Sequence, residues 1–482
     1  MTVLKQASSQ EKIKKFLLFC IPFSLVLWYI YPISPIGNSG DAANIWTAIV
    51  GLATGEPEAS YVMYKGILSC YPYVWFYQLS QALGVSEFFF LKIYHAILFA
   101  YVSVIAFPNI YLNLTGKEEV NTIRRVILAI VMFLLWKDYL IFDQLMIDLP
   151  SMACFIASVS GLLSWKKRAG EYPYARIVLL FFLIGCGSCF SGQYSIAMLI
   201  LLCYAANLII QLYKRNIYSR KHMVLWGICI SVLLLPRVAD MWFFSAIVNP
   251  LVENGGWIPS KGFWLKYGLT SDIDAYSLFL PTIYSPKGIN IAAEMAENGV
   301  IAGSQQITLA ILVEILKIWI HYPLDMLQIW CNRFFLALSM DGMKQNALYL
   351  IISYLAVLKF WESIKGQFKH IKDFFDSKVL IYFAFLFSIL ISCALHMEGR
   401  FAVAIQGLML SFLVFDQFTC ERKASLKNLS GNENTQIRMS KIPYTAIAKG
   451  IFVLLCIIHF GSLMELQAIE GKEAMMFTFG LF

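Results

Sequence analysis

Charge is what this chain has least of. Only 14% of its 482 residues are Asp, Glu, Lys or Arg, where a soluble domain carries roughly a quarter. Nucleotide signatures are missing as well. No phosphate-cradling glycine loop and no dinucleotide fingerprint occur, so a nucleotide-using active site has no support. The six histidines never fall at His-x-x-x-His spacing. No internal repeat or low-complexity block appears. Of the 11 cysteines, most lie inside apolar runs, where they act as small hydrophobes. Cys186-Gly-Ser-Cys189 is the only Cys-x-x-Cys, and its setting among Gly185, Gly187, Ser188 and Gly192 reads as close helix packing by small residues.

Apolar residues fill the space that charge leaves. They make up 59% of the chain, with a mean hydropathy of +0.66. Stretches long enough to cross about 30 Å of hydrocarbon recur throughout. They are continuous rather than alternating, which favours helices over a barrel. The expected fold is all-α and polytopic, with about eleven transmembrane helices and two outer loops carrying interfacial helices. The spans read as 16–36, 88–112, 124–142, 145–164, 176–191, 193–212, 223–244, 344–360, 378–396, 401–417 and 443–462. The first follows Lys12, Lys14 and Lys15 like a signal peptide, but Tyr31-Pro32-Ile33-Ser34-Pro35 is a poor cleavage site. It reads as a retained anchor.

Basic residues set the orientation. With a cytoplasmic N-terminus, the inside segments carry Lys5, Lys12, Lys14 and Lys15, then Lys117, Arg124 and Arg125, then Lys166, Lys167, Arg168 and Arg176. Lys214, Arg215, Arg220 and Lys221 follow, then Lys359, Lys365, Lys369, Lys372 and Lys378, then Arg422, Lys423, Lys427, Arg438 and Lys441. These are 25 of the 38 Lys and Arg residues, and every inside loop contributes. The net charge of +8 therefore needs no nucleic acid to explain it. Localisation in the plasma membrane follows, with two larger segments outside, 37–87 and about 245–343. The chain divides into an N-terminal membrane module (1–246, including the loop 37–87), a large outer loop (247–343) and C-terminal helices (344–482). Residues 42–53 and 72–83 read as interfacial helices. Residues 306–320 and 324–338 are placed on the outer surface, because a crossing there would break the basic-loop pattern.

Ionisable groups are costly in lipid and tend to mark function. Those left without an ordinary place all fall on the outer side: Asp41, Lys65, Asp143, Asp148, Arg237, Asp240, Glu398 and Arg400. Each also has a plain role. Asp41 can cap a helix starting at Ala42, and Lys65 can reach the headgroups. Asp148 can sit in a first helical turn, and Arg237 and Asp240 can neutralise each other at i, i+3. Glu398 and Arg400 can form a turn between spans. Asp272 and Asp274 could hold a divalent cation, but no oxygen-rich cluster surrounds them and a solvated loop is the better reading. No metal site or cofactor is expected.

The order of these elements resembles the GT-C-type membrane glycosyltransferases that use polyprenyl-phosphate-linked sugars, such as the lipid A aminoarabinose transferases and the protein O-mannosyltransferases. The likeness rests on Gly40-Asp41 after the first span, then Tyr64-Lys65-Gly66, Pro72-Tyr73-Val74-Trp75 and Leu83-Gly84-Val85-Ser86. Asp148-Leu-Pro-Ser151, His321-Tyr-Pro323 and His396-Met-Glu-Gly-Arg400-Phe401 complete it. Some members have paired acids where this chain has Asp41-Ala42, and the lysine segment lacks a double proline.

The resemblance implies an inverting transfer from a lipid-phosphate sugar to an extracytoplasmic glycan, lipid or protein. Asp41 would be the base, with Lys65, Arg400 and Arg237 at the donor phosphate. Asp148, Glu398, Asp143, Tyr64, Tyr73, Trp75 and His321 would orient sugar or acceptor; interfacial aromatics are also ordinary belt residues. An O-antigen or capsule-type polymerase is the alternative, although 37–87 has no arginine and 245–343 only Arg333. A lipid-linked glycan flippase is another, but no inverted repeat is visible. The orientation predicts that cysteines introduced at 41 and 398 react with an impermeant thiol reagent in intact cells. Labelling of 398 only after permeabilisation would contradict it.

Overall fold

The computed structural model describes residues 2–36, 40–58, 67–137, 142, 147–190, 192–219, 222–254, 347–365, 378–395 and 399–416, with isolated positions between 313 and 340. Every regular element among them is helical and no strand occurs. The helices are α1 (Thr2–Ile30), α2 (Gly40–Thr54), α3 (Tyr71–Leu83), α4 (Phe89–Thr115), α5 (Thr122–Trp136) and α6 (Asp148–Arg168). They continue as α7 (Tyr174–Phe190), α8 (Ser195–Lys214), α9 (Met223–Glu253), α10 (Ala347–Lys365), α11 (Val379–Leu395) and α12 (Val403–Phe415).

Ten of the eleven expected spans fall on these helices, and the eleventh, 443–462, lies outside the described residues. By length and hydropathy, three helices among the described residues are able to cross a membrane: α4, α8 and α9. Phe16–Ile30, Tyr174–Phe190, Val379–Leu390 and Arg400–Phe415 are apolar but shorter. The expected interfacial helices 42–53 and 72–83 are the helices α2 and α3. Those expected at 306–320 and 324–338 lie largely outside the described residues.

Burial separates the centre of the bundle from its rim. Fourteen side chains of α6 are buried, and the helix packs on α4 and α7. A helix surrounded by protein needs less hydrophobicity than one facing lipid, and α6 carries Ser151, Ser158, Ser160 and Ser164. Ser151, Ser158 and Ser164 satisfy their hydroxyls on the i−4 carbonyls of Ile147, Cys154 and Ser160, at 2.7, 2.7 and 2.8 Å. Asn109 of α4 reaches across to Ser160 Oγ and Ser164 Oγ at 2.6 and 2.9 Å. In contrast, α9 leaves Val224, Leu234, Leu235, Val238, Met241 and Trp242 exposed.

Two long helices widen locally just before a proline. The π-turns Val102–Ala106 and Phe244–Val248 precede Pro108 and Pro250. A proline cannot donate to the i−4 carbonyl and its ring crowds it, so a π-turn there relieves the clash. In α4 the orphaned acceptor is the Val104 carbonyl, and Arg125 Nη1 of α5 supplies a donor at 3.2 Å.

The small-residue reading of 185–192 holds. The cysteines described there are unbridged, and Gly185 lies against the Leu233 carbonyl and Pro236 ring of α9, with no room for a Cβ. Gly185→Val should force α7 and α9 apart and lower stability by about 1–3 kcal/mol, read by thermal unfolding of the detergent-solubilised chain. An unchanged melting temperature would show that the close approach contributes nothing.

Candidate functional site

One end of the bundle holds Asp148, Asp240 and Arg400. Asp148 is the first residue of α6, where a carboxylate meets the positive end of the helix dipole. Arg400 lies in the 3-10 turn Gly399–Ala402 that leads into α12. The two side chains come together from 252 positions apart, with Arg400 Nε 3.7 Å from Asp148 Oδ2 and both residues only 7% exposed. The Arg400 guanidinium also lies over the Phe401 ring, 5.4 Å from its centroid. A charged pair this deeply buried is held mainly because each partner makes the other affordable there.

A polar layer surrounds the pair. The turn Gly192–Tyr194 starts α8, and its Gln193 Nε2 donates to the Phe401 carbonyl at 3.4 Å. Tyr194 is fully buried, stacked on Phe155 of α6 at 5.1 Å and within electrostatic reach of Asp148. Tyr73 of α3 is also buried, and a 3.2 Å hydrogen bond joins its hydroxyl to His95 Nε2 of α4. Burial, with Tyr94, Cys70 and Asp148 adding to it, holds the Tyr73 phenol well above its usual value, so it remains a neutral hydroxyl.

The 3-10 turn Leu68–Cys70 abuts this layer and runs directly into α3. Asp240 of α9 fixes its start, with Oδ1 accepting from the backbone N–H groups of Ile67 and Leu68 at 2.9 and 3.0 Å. A carboxylate cradled by two amides is a strong, directional anchor. Asp240 is therefore committed to this turn and not to Arg237, which corrects the expected neutralisation. Arg237 is exposed on α9, and both residues act on Cys189 of α7. Tyr71 stacks on Phe243 at 4.3 Å and meets Trp75 edge-on at 6.4 Å, while Trp75 itself is 64% exposed.

Asp41 is the second residue of α2, because the helix begins at Gly40. Asp41 thus lies in the first described turn of the helix, and residues 37–39 lie outside the described residues. Its side chain lies outside the described residues, as do Tyr64, Lys65, Asp143, His321, Glu398, Asp272 and Asp274. Sequence reasoning passed over His95, Gln193 and Tyr194. The signal for His95 was available: a polar, ionisable residue in the middle of an apolar run. Among the described residues, no group of three His, Cys, Asp or Glu side chains stands close enough to hold a metal.

The opposite end is basic. Lys117 of the α4–α5 connection pairs with Asp416 at 2.7 Å, Arg124 Nη1 donates to the Phe415 carbonyl at 2.7 Å, and Lys378 Nζ donates to the Leu114 carbonyl. Helix α6 carries Asp148 at its start and Lys166 near its end. Eighteen residues of helix separate them by about 27 Å, close to the thickness of a hydrocarbon core.

No family model matches this chain, and no curated protein or solved structure is similar to it.

The buried pair carries a distinct expectation. Asp148→Asn or Arg400→Gln alone removes one charge of a buried pair and should cost up to about 3–5 kcal/mol. The double replacement Asp148→Leu/Arg400→Met should recover most of that stability in thermal unfolding. Additive losses in the double variant would show that the two side chains do not depend on each other.

Proposed function

We propose that the chain is an integral membrane glycosyltransferase that moves a sugar from a polyprenyl-phosphate donor to an acceptor at the outer membrane face. The observation that carries this reading is the buried Asp148–Arg400 pair, set at the end of the bundle opposite the basic connections. Next to it, Asp240 pins the backbone two residues beyond Lys65. The acid at the start of α6 and the base before α12 form a pair, and the turn pinned by Asp240 follows Lys65 in the sequence.

The chemistry suits such a cluster. An acceptor hydroxyl attacks the anomeric carbon, forming the new glycosidic C–O bond as the bond from that carbon to the phosphate oxygen breaks. The hydroxyl proton passes to a carboxylate, for which Asp41 is the candidate. The electron pair of the broken bond leaves on the polyprenyl phosphate. Charge grows on that phosphate as the bond breaks, so cations there favour the transition state over the ground state. Lys65 and Arg400 are the candidates for this role, with Arg237 third. Asp148 holds Arg400 in place, and Tyr73 and Trp75, with Tyr64, Asp143, His321 and Glu398, are candidates to orient sugar or acceptor. Direct attack inverts the anomeric centre. A donor already in the membrane needs no nucleotide site.

Asp41→Asn preserves size and removes the base. Transfer to cell-envelope material, measured in a deletion strain complemented with each allele at equal membrane abundance, should fall at least about a hundredfold. Full transfer by the Asn allele would sink the assignment of Asp41.

A further inference from the structure

The basic end of the bundle holds a cleft of about 800 Å³ that the proposed transfer does not use. It lies between the end of α4, the connection 116–121, the start of α5, the last turns of α10 and the end of α12. Three cations and three acids face it: Lys117, Arg124 and Lys359, with Glu119, Glu362 and Asp416. Balanced lining of this kind disfavours a polyanion, which would leave the acids unpaired, and suits a ligand that carries both signs.

Some of these charges are already engaged. Asp416 accepts from Lys117 Nζ at 2.7 Å and from the Tyr111 hydroxyl, and Lys359 pairs with Glu362 at 3.2 Å on α10. Arg124 gives one N–H to the Phe415 carbonyl at 2.7 Å, and a guanidinium has five donors in all. Among the described residues Glu119 makes no hydrogen bond or ion pair, and it is exposed. The cleft therefore presents one cation with donors to spare and one exposed carboxylate, which also faces Arg125 of α5 electrostatically.

Its surroundings add a second property. Thr115, the last residue of α4, lines the cleft, so the opening lies where the apolar surface of a membrane-length helix ends. Along α5, whose Arg124 lines the cleft, Ile123, Ile127 and Ile130 form an exposed stripe at helical spacing, 66%, 43% and 39% exposed. A ligand with a charged head and alkyl chains satisfies both surfaces at once.

We propose that this cleft binds the headgroup of a bilayer phospholipid that bears a primary amine. The phosphodiester takes the remaining donors of Arg124, the ammonium meets Glu119, and the acyl chains run along the Ile123–Ile127–Ile130 stripe. The same head chemistry exists in soluble form, so the test separates the sources. The delipidated full chain in detergent is titrated with dioleoylphosphatidylethanolamine, dioleoylphosphatidylglycerol and soluble glycerophosphoethanolamine, and binding is read by native mass spectrometry.

One ethanolamine lipid should bind about tenfold or more tightly than the glycerol lipid, the scale of one charge-assisted hydrogen bond. Glu119→Gln should erase that preference, and Arg124→Gln should weaken both lipids about tenfold or more. Arg124→Lys, which keeps the charge, should retain part of the binding, and Glu119 is exposed enough that its replacement leaves the fold intact. Equal affinity for the two lipids in the native chain, or unchanged binding in Arg124→Gln, would overturn the proposal. Binding of glycerophosphoethanolamine as tight as that of the lipid would overturn the assignment to the bilayer.

Discussion

A carboxylate and a guanidinium buried against each other, Asp148 and Arg400, tie the start of α6 to the turn that begins α12. Charge is scarce in this molecule, and burial makes each of these two ions depend on the polar partners around it. The pairing fixes the register of the central helix against a segment 252 residues later. Around it the polar groups of Gln193, Tyr194, Tyr73 and His95 occupy one end of an otherwise apolar core. Asp240 extends the same logic to the edge of this layer by holding the turn Leu68–Cys70 through two amides.

The central helix shows how sequence and position are matched. Helix α6 buries fourteen of its side chains and is less apolar than α4, α8 and α9, the three that satisfy length and hydropathy for crossing a membrane. Its serines spend their hydroxyls on their own backbone and on Asn109, while the apolar side chains of α9 stay exposed at the rim. Close approach elsewhere depends on missing side chains, as at Gly185 against Leu233. Small and polar residues thus serve helix contacts in α6 and at Gly185, alongside a core of large buried side chains such as Trp136, Trp165 and Phe412.

Much of the helical plan was legible in the sequence, because unbroken apolar runs bounded by Lys and Arg mark where helices lie, although α1 starts at Thr2 rather than 16 and α9 runs on to Glu253 rather than 244. The place of Asp148 in a first turn was legible for the same local reason. Contacts between distant segments were not. Nothing in the spacing of Arg237 and Asp240 discloses that the carboxylate is claimed by the amides of Ile67 and Leu68, more than 170 residues away in sequence. The Tyr73–His95 hydrogen bond was hidden likewise, since each residue alone looks like an ordinary interfacial aromatic or a core histidine.

The central claim is that the donor is a sugar carried on a lipid phosphate, consumed without a nucleotide. The direct measurement uses the purified chain in proteoliposomes, supplied with polyprenyl-phosphate sugars or nucleotide sugars and a membrane extract containing acceptors. The account predicts loss of sugar from a polyprenyl-phosphate donor, release of the free polyprenyl phosphate, and no consumption of nucleotide sugars. Consumption of a nucleotide sugar, with every polyprenyl-phosphate sugar left intact, would contradict it.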